Sequence, residues 1–264
     1  MLINDAMIYV ENRTVKNPRG VVVITHGIAL HTMYYYRISD ALNDAGYQVY
    51  LYDVRGHGKS QGKRGDIKHI NVFIEDLHQL ILKIKETTSL PIFLLGHSMG
   101  GVITNLYATT YDNHDGSIIL SAPSQSSQLG ILNILPYSLL SWVKIKTDFK
   151  DSRLSHIPFS NDVDPYALNH FSLRLTGNLM IRGIRMVNKQ IKNYSKPVLL
   201  LHGGSDSLVP ASMSETLYQM IPAKDKTIKI YPGGYHNLND DIVTDEVNHD
   251  IIEWLNQRTI SNEK

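Results

Sequence analysis

The stretch LLGHSMGG at positions 94–101 places Ser98 between Gly96 and Gly100. An apolar run precedes this stretch, and an apolar pattern with helical spacing follows it. In a tight turn from strand to helix a serine takes a strained backbone conformation, and side chains at the flanking glycine positions would collide. The pattern therefore predicts a nucleophile elbow, in which the Ser98 hydroxyl is exposed for attack on a carbonyl carbon.

A serine hydroxyl becomes nucleophilic when a histidine takes its proton and a carboxylate orients that histidine. The sequence contains 12 histidines, and those that follow predicted strands at the same sheet edge are His26, His57, His202 and His236. Beyond a nucleophile elbow the chain order is serine, acid, histidine. Asp206 follows one late strand and His236 follows the next, so the order predicts Ser98, Asp206 and His236 as the catalytic residues.

The tetrahedral intermediate also needs two backbone N–H groups that point at its oxyanion. One comes from the residue after the nucleophile, Met99, and the other from the loop after an early strand. The loop THGIALH follows GVVVI, and Ile28 occupies the required position there. We expect His26 and His97 to fix these loops rather than to act in catalysis.

Short apolar runs that suit strands buried on both faces recur along the chain, and amphipathic helical patterns lie between them. The strand predictions are 20–26, 47–53, 91–96, 116–122, 196–203 and 226–232. The helix predictions are 34–45, 70–84, 99–110, 211–221 and 241–257. This alternation predicts a doubly wound α/β fold with a mostly parallel sheet.

The alternation stops between Pro123 and Lys196. We predict a core of residues 1–122 and 197–264, with residues 123–196 inserted as a helical cap over the ligand crevice. Pro136 suits the first position of a cap helix, on which Leu139, Trp142 and Val143 would share a face toward the substrate. A third layer that extends the core, with these side chains in ordinary packing, is the alternative.

Composition narrows the function further. The chain has 26 basic and 25 acidic residues, so no strong field attracts nucleic acid. Cysteine is absent, which removes disulfides, zinc thiolates and a cysteine nucleophile. No apolar stretch approaches the length of a membrane span and no secretory signal is present, so we expect a cytoplasmic location. The oligomeric state stays open.

The whole pattern resembles the α/β-hydrolase superfamily, and within it the monoacylglycerol lipase and lysophospholipase branch. The segments that carry the resemblance occur in the family's order and spacing: HGIALHTMYY, DVRGHGKSQGKRG, GHSMGG, LHGGSDSLVP and YPGGYHNL. The resemblance implies a cap, hydrolysis of esters with one long acyl chain, and no metal or organic cofactor. Transient contact of the cap with a membrane surface is a further expectation.

One segment departs from the family pattern HGxGEHxxRY. Leu30 stands in place of the glutamate and Tyr34 in place of the arginine, whereas His31 and Tyr35 match. The resemblance places Leu30, His31 and Tyr34 near the alcohol part of the substrate. The leading hypothesis is a serine carboxylester hydrolase for monoacylglycerols or lysophospholipids. The alternatives are a hydrolase of small non-lipid esters or amides, and a slow or non-catalytic ligand receptor.

Overall fold

The protein is described here by a computed structural model that covers residues 1–126, 136–156 and 164–259. Its strands are β1 (Leu2–Ile3), β2 (Ala6–Met7), β3 (Val10–Arg13), β4 (Gly20–Thr25), β5 (Tyr47–Tyr52), β6 (Ile92–His97), β7 (Gly116–Leu120), β8 (Lys144–Lys146), β9 (His170–Ser172), β10 (Val198–Gly203) and β11 (Lys226–Tyr231). Its α-helices are α1 (Tyr36–Asp44), α2 (Asn71–Lys85), α3 (Met99–Thr110), α4 (Leu173–Gly177), α5 (Ile184–Gln190), α6 (Ser212–Met220) and α7 (Thr244–Thr259). In these ranges no helix is long and apolar enough to span a membrane.

A mixed sheet forms the centre of the described chain, with strand order β3-β5-β4-β6-β7-β10-β11. Every neighbouring pair is parallel except β3 and β5, which are antiparallel. Strand β4 lies between β5 and β6, so the chain reverses its direction of winding beside β4. The loops after β4 and β6 therefore open a crevice at the carboxyl edge of the sheet, where α/β folds bind ligands.

Both faces of the sheet are covered by helices, as the apolar strands require. On β4, Val21 and Val23 pack in the cluster that contains residues of α2 and α3. Val22 and Ile24, which point the opposite way, pack in the cluster that contains residues of α1 and α7. This alternation follows from the two-residue period of a strand. The predicted α/β class with a mostly parallel sheet is confirmed.

The segment between Pro123 and Lys196 is only partly helical. Strands β8 and β9 pair antiparallel, and a π-helical turn, Asn178–Gly183, joins α4 to α5. Residues 127–135 and 157–163 of the predicted cap lie outside the described residues. The division into core and cap stays a prediction.

The predicted helix that begins at Pro136 is wrong. A single 3₁₀ turn, Tyr137–Leu139, is followed by extended chain that leads into β8. The side chains of Leu139 and Trp142 are 74% and 75% exposed, and Val143 is half-buried. Apolar spacing over so short a run does not distinguish a helix from extended chain, and pairing with β9 decides for the strand.

Hydrogen bonds join the segment between Pro123 and Lys196, called the insertion below, to the loops after β4 and β5. Asp66, in the loop after β5, accepts hydrogen bonds from Arg174 of α4 and from the hydroxyl of Ser172. The Leu168 N–H donates to the Ala29 carbonyl in the loop after β4. The insertion therefore packs directly against the loop that was predicted to carry an oxyanion donor.

Candidate active site

Ser98 occupies the turn between β6 and α3. Its backbone angles, φ 51° and ψ −114°, lie outside the regions that non-glycine residues usually adopt. A Cβ atom at Gly100 would overlap the Thr25 carbonyl, and one at Gly96 would overlap the Gly100 carbonyl and the Thr104 hydroxyl. The geometry is that of a nucleophile elbow, and close backbone approach explains both glycines.

His236 and Asp206, the predicted partners of Ser98, lie in line with it. The Nε2 atom of His236 is 2.9 Å from Ser98 Oγ. The Nδ1 atom of the same ring is 2.7 Å from Asp206 Oδ2. With Nδ1 protonated, His236 donates to the carboxylate and accepts the proton of the serine hydroxyl. A proton can therefore move from Ser98 to a histidine whose tautomer the carboxylate holds.

Asp206 is buried and receives several donors. The amides of Leu208 and Val209 donate to Oδ1 at 2.9 Å each, and His202 Nε2 lies 3.3 Å from Oδ2. Burial acts to raise the pKa of Asp206, but the hydrogen bonds from His202 and His236 outweigh it and hold this pKa far below its usual range. Asp206 therefore stays ionised beside His236.

Chain order considered His202 only as a candidate base, but its ring lies against the loop that carries Asp206. Its ring is fully buried, its Nε2 also lies 2.7 Å from the Val209 carbonyl, and its Nδ1 lies 2.6 Å from the Ser214 hydroxyl. These contacts hold the loop that carries Asp206. Sequence reasoning excluded His202 as the base but did not identify it as a partner of the acid.

The two predicted oxyanion donors belong to different loops: Ile28 lines the same cavity as Ser98, and Met99 follows Ser98 at the start of α3. The Gly27 N–H is already occupied, because it donates to the Tyr35 hydroxyl at 2.8 Å. The next amide of that loop is the one from Ile28. Met99 is the first residue of α3, where helix N–H groups lack intrahelical acceptors. In the described part of the chain neither amide donates to another protein group. The N-terminus of α3 adds a favourable dipole for negative charge.

A buried hydrogen-bond chain links these loops. The Tyr35 hydroxyl lies 2.7 Å from His97 Nδ1, and His97 Nε2 lies 3.1 Å from the His236 carbonyl. Burial lowers the pKa of His97 to about 3, so its ring is neutral: it accepts from Tyr35 and donates to His236. His26 accepts from the Val54 N–H at 2.9 Å. Both contacts agree with the predicted loop-fixing roles.

A cavity of about 130 Å³ opens beside Ser98 and His236. Its wall includes Ile28 and Leu30 from the predicted site. The other side chains of its wall that sequence reasoning missed are Thr147, Asp148, Phe149, Leu154, Leu208 and Asn237. Leu208 and Asn237 flank predicted catalytic residues in sequence, which was an available signal. The four residues of the insertion carried no such signal.

The remaining predicted pocket residues are not in the described wall of this cavity, and their role stays a prediction. His31 Nε2 is 2.7 Å from Asp164 Oδ2, and the Tyr34 hydroxyl donates to the same oxygen at 2.9 Å. These contacts join the loop after β4 to the insertion. Leu139 and Trp142 are at the surface, and neither they nor Val143 belong to the described cavity wall.

The arrangement brings a serine hydroxyl, a histidine and a carboxylate into one hydrogen-bonded line, with two predicted oxyanion donors in the adjoining loops. Groups arranged in this way can perform acyl transfer. Among the residues that the structure describes, no group of three or more His, Cys, Asp or Glu side chains is placed to hold a metal ion.

Comparisons with known proteins identify the family of this chain. A family model described as serine aminopeptidase, S33, matches residues 16–242. A monoacylglycerol lipase of Mycolicibacterium smegmatis is 29% identical over 248 residues, which cover 90% of this chain and 89% of that protein.

Two solved structures were also compared. A monoacylglycerol lipase of Paleococcus ferrophilus superposes with a TM-score of 0.83 at 29% identity, covering 96% of this chain and 99% of that one. A soluble variant of the Saccharomyces cerevisiae monoglyceride lipase, solved with a substrate analogue, has a TM-score of 0.87 at 24% identity, covering 99% and 95%. The second likeness is evidence for the fold alone.

Proposed function

This chain belongs to the serine aminopeptidase S33 family and is a serine hydrolase, and we propose that it cleaves monoacylglycerols and related monoesters of one long acyl chain. The observation that carries the proposal is the hydrogen-bond chain from Ser98 through His236 to Asp206 beside the cavity. Relatives named monoacylglycerol lipases, aligned over most of their length, support the choice of substrate.

In the proposed reaction, Ser98 Oγ attacks the ester carbonyl carbon while His236 Nε2 takes the hydroxyl proton. Asp206 stabilises the imidazolium that forms, and the amides of Ile28 and Met99 donate to the oxyanion. His236 then gives its proton to the departing alcohol oxygen, which leaves an acyl group on Ser98. A water molecule loses a proton to His236 and attacks the acyl carbon. The bond from that carbon to Ser98 Oγ then breaks, His236 returns the proton to Oγ, and the carboxylic acid departs.

The finer assignment of partners is also a proposal. We propose that the insertion makes transient contact with a lipid surface through Leu139 and Trp142, whose apolar side chains are exposed. Lys144 and Lys146 are exposed beyond them at two-residue spacing, so they extend the same face of the chain with positive charge. Apolar and basic side chains together suit an anionic lipid surface. The cytoplasmic location stays a prediction from the sequence.

Fluorophosphonate labelling tests the nucleophile. The native protein is expected to react at Ser98, and Ser98→Ala is expected to lose both labelling and turnover. Removal of a catalytic serine in a comparable triad lowers turnover by about 10⁶-fold. Ser121→Ala, which changes another buried serine after a parallel strand, is the control. Persistent labelling of Ser98→Ala would contradict the assignment.

A chain-length series tests the substrate. Monoacylglycerols and p-nitrophenyl esters of two to eighteen carbons are compared by kcat/KM, and we expect long chains to be preferred, because each buried methylene contributes about 0.8 kcal/mol. A preference for acetate or butyrate would support the small-ester alternative. Binding without turnover would support the receptor alternative.

An aminoacyl p-nitroanilide belongs in the same series. The family description names an aminopeptidase, and the carboxylate of Asp148 lies in the cavity wall, where it could attract an amine. We expect slower turnover of the anilide than of the long-chain ester, because Asp148 is exposed to solvent and its attraction for an amine is therefore weak. Faster turnover of the anilide would replace the ester proposal with a peptidase one.

A further inference from the structure

His202 contacts the catalytic acid from strand β10. It is the fifth residue of β10 and precedes Asp206 by four positions. Its ring is fully buried, and its Nε2 atom lies 3.3 Å from Asp206 Oδ2. The same carboxylate oxygen lies 2.7 Å from Nδ1 of His236. One oxygen of the acid therefore faces two imidazole rings.

The contacts of His202 determine which of its ring nitrogens carries a proton. Besides Asp206 Oδ2, Nε2 lies 2.7 Å from the Val209 carbonyl oxygen. Both oxygens are acceptors, so Nε2 must be protonated and donate. In the neutral ring Nδ1 then has a lone pair, and the Ser214 hydroxyl, 2.6 Å away, can donate to it. Ser214 therefore favours the tautomer that presents an N–H to the acid.

Val209 connects His202 to the other oxygen of the acid. The Val209 carbonyl accepts from His202 Nε2, and the Val209 N–H donates to Asp206 Oδ1 at 2.9 Å. The Leu208 N–H donates to the same Oδ1 atom. His202 thus acts on Asp206 both directly, at Oδ2, and through the residue that holds Oδ1.

The position of Asp206 decides how well His236 can accept the proton of Ser98. The carboxylate must lie in line with Nδ1 of His236 to hold the tautomer in which Nε2 is free to accept. Hydrogen bonds to a charged group are stronger than those between neutral groups, and burial strengthens them further. The contacts of His202 are therefore placed to affect the reaction as well as the packing of the loop.

We propose that His202 and Ser214 are positioning residues for the reaction, and that the catalytic line runs from Ser98 through His236, Asp206 and His202 to Ser214 on α6. His202 orients the carboxylate of Asp206, and Ser214 orients the ring of His202. Neither residue belongs to the described cavity wall, so both act through Asp206 and not on the substrate. The inference rests on the proposed reaction at Ser98.

The rate of fluorophosphonate labelling measures this role, because labelling requires an activated Ser98 but no particular ester. His202→Leu removes the N–H and keeps a buried side chain. We expect it to slow labelling about tenfold to a hundredfold, as the loss of a hydrogen bond to a charged group predicts. His202→Gln, whose amide N–H can take the place of Nε2, should label faster than His202→Leu. A role in packing alone predicts no advantage for the glutamine.

A double-mutant cycle shows whether His202 acts through Asp206. In Asp206→Asn the line is already broken, so the further change His202→Leu should slow labelling by less than about twofold. If His202 only stabilised the fold, the two losses would multiply. Multiplied losses would therefore overturn the proposed route through the acid.

Ser214→Ala examines the far end of the line and should slow labelling about threefold to tenfold, as the loss of one neutral hydrogen bond predicts. Ser212→Ala, the same change at an exposed position of α6, is its control and should label at the wild-type rate. His114→Leu is the control for His202→Leu, because His114 is also buried but lies in the loop before β7, at the opposite edge of the sheet. It should also label at the wild-type rate.

Thermal unfolding of each variant checks its folding, and if His202→Leu fails to fold, Ser214→Ala carries the test from α6. Wild-type labelling rates in both His202→Leu and Ser214→Ala would overturn the positioning role and leave the proposed function intact. A wild-type protein that is not labelled at Ser98 would overturn the proposed reaction, and the positioning role with it. Labelling of the wild type therefore distinguishes the two failures.

Discussion

The sheet edge and residues 147–154 of the insertion meet at one cavity, but the two regions are built differently. At the sheet edge Asp206 accepts from two amides and from His236, and His236 also contacts Ser98. In the insertion, Thr147 lines the cavity and Trp142 lies exposed at the surface. The polar groups at the sheet edge are therefore fixed by several hydrogen bonds, whereas the insertion also carries apolar side chains exposed to solvent.

The largest expected effect is at the sheet edge. Asp206→Asn keeps the shape of the acid but favours the wrong tautomer of His236, so kcat for any ester should fall by about 10⁴-fold. Turnover of a p-nitrophenyl ester measures the loss.

Asp245→Asn is the control, because Asp245 is an exposed acid near the start of α7. It should change kcat by less than about twofold, as surface substitutions usually do. Near-normal turnover in Asp206→Asn would show that the orienting acid lies elsewhere.

Two glycine substitutions compare backbone packing in the two regions. Gly100→Ala should destabilise the protein by about 3 kcal/mol or more and abolish turnover, because its Cβ would overlap the backbone carbonyl of Thr25. In Gly183→Ala, within the insertion, the Cβ would lie 3.1 Å from Val102 Cγ1, a side-chain atom that can shift.

Denaturant unfolding and ester turnover distinguish these two variants. Gly183→Ala is expected to lose about 1 kcal/mol at most and to keep its turnover, since a helical alanine offsets part of the strain. Equal losses in both variants would remove the difference in packing between the regions.

Lowering the pH should destabilise the protein through buried histidines at the sheet edge rather than through the insertion. Burial lowers the pKa of His26, His57 and His97 to about 3 from 6.5. Between these pH values the unfolded chain binds protons that the folded protein does not. The contribution of these histidines to the free energy of unfolding is therefore fully present above about pH 6.5. It falls as the pH drops toward 3, by up to about 1.4 kcal/mol per pH unit for each histidine.

Denaturant unfolding at pH 7.5, 6 and 5 measures this slope. His57→Gln should remove the contribution of about one proton from this pH slope. His57 is buried beside His26, with ring centroids 5.2 Å apart. His170→Gln, at an exposed position of β9 in the insertion, should leave it unchanged. An unchanged slope in His57→Gln would show that this histidine takes up protons in the folded protein.

The smallest expected effect on folding is at the exposed end of the insertion. Leu139→Ser with Trp142→Ser should change the free energy of unfolding by less than about 0.5 kcal/mol and leave turnover of a dissolved short ester unchanged, because both side chains are exposed. Sedimentation with vesicles of phosphatidylcholine and phosphatidylglycerol should nevertheless weaken. Unaltered sedimentation would overturn the proposed lipid contact.

Local constraints on the chain explain how much of the protein was predictable. Continuous apolar runs predict the parallel strands because both faces of the sheet are buried. The strand β3 was not predicted, since its residues VENR are mostly polar and only pairing with β5 makes them a strand. The turn at Tyr137–Leu139 was predicted as a longer helix because apolar spacing over a few residues does not distinguish the two.

The sequence by itself determined the elbow at Ser98 and the order in which an acid and a histidine follow it, because close backbone packing and chain order act locally. Only the tertiary structure brought Asp164 to His31, and Thr147 to the cavity beside Asn237. Each of these pairs joins segments that lie far apart in the chain. Their side chains meet only when the loops at the sheet edge and the insertion pack together, so no local pattern records them.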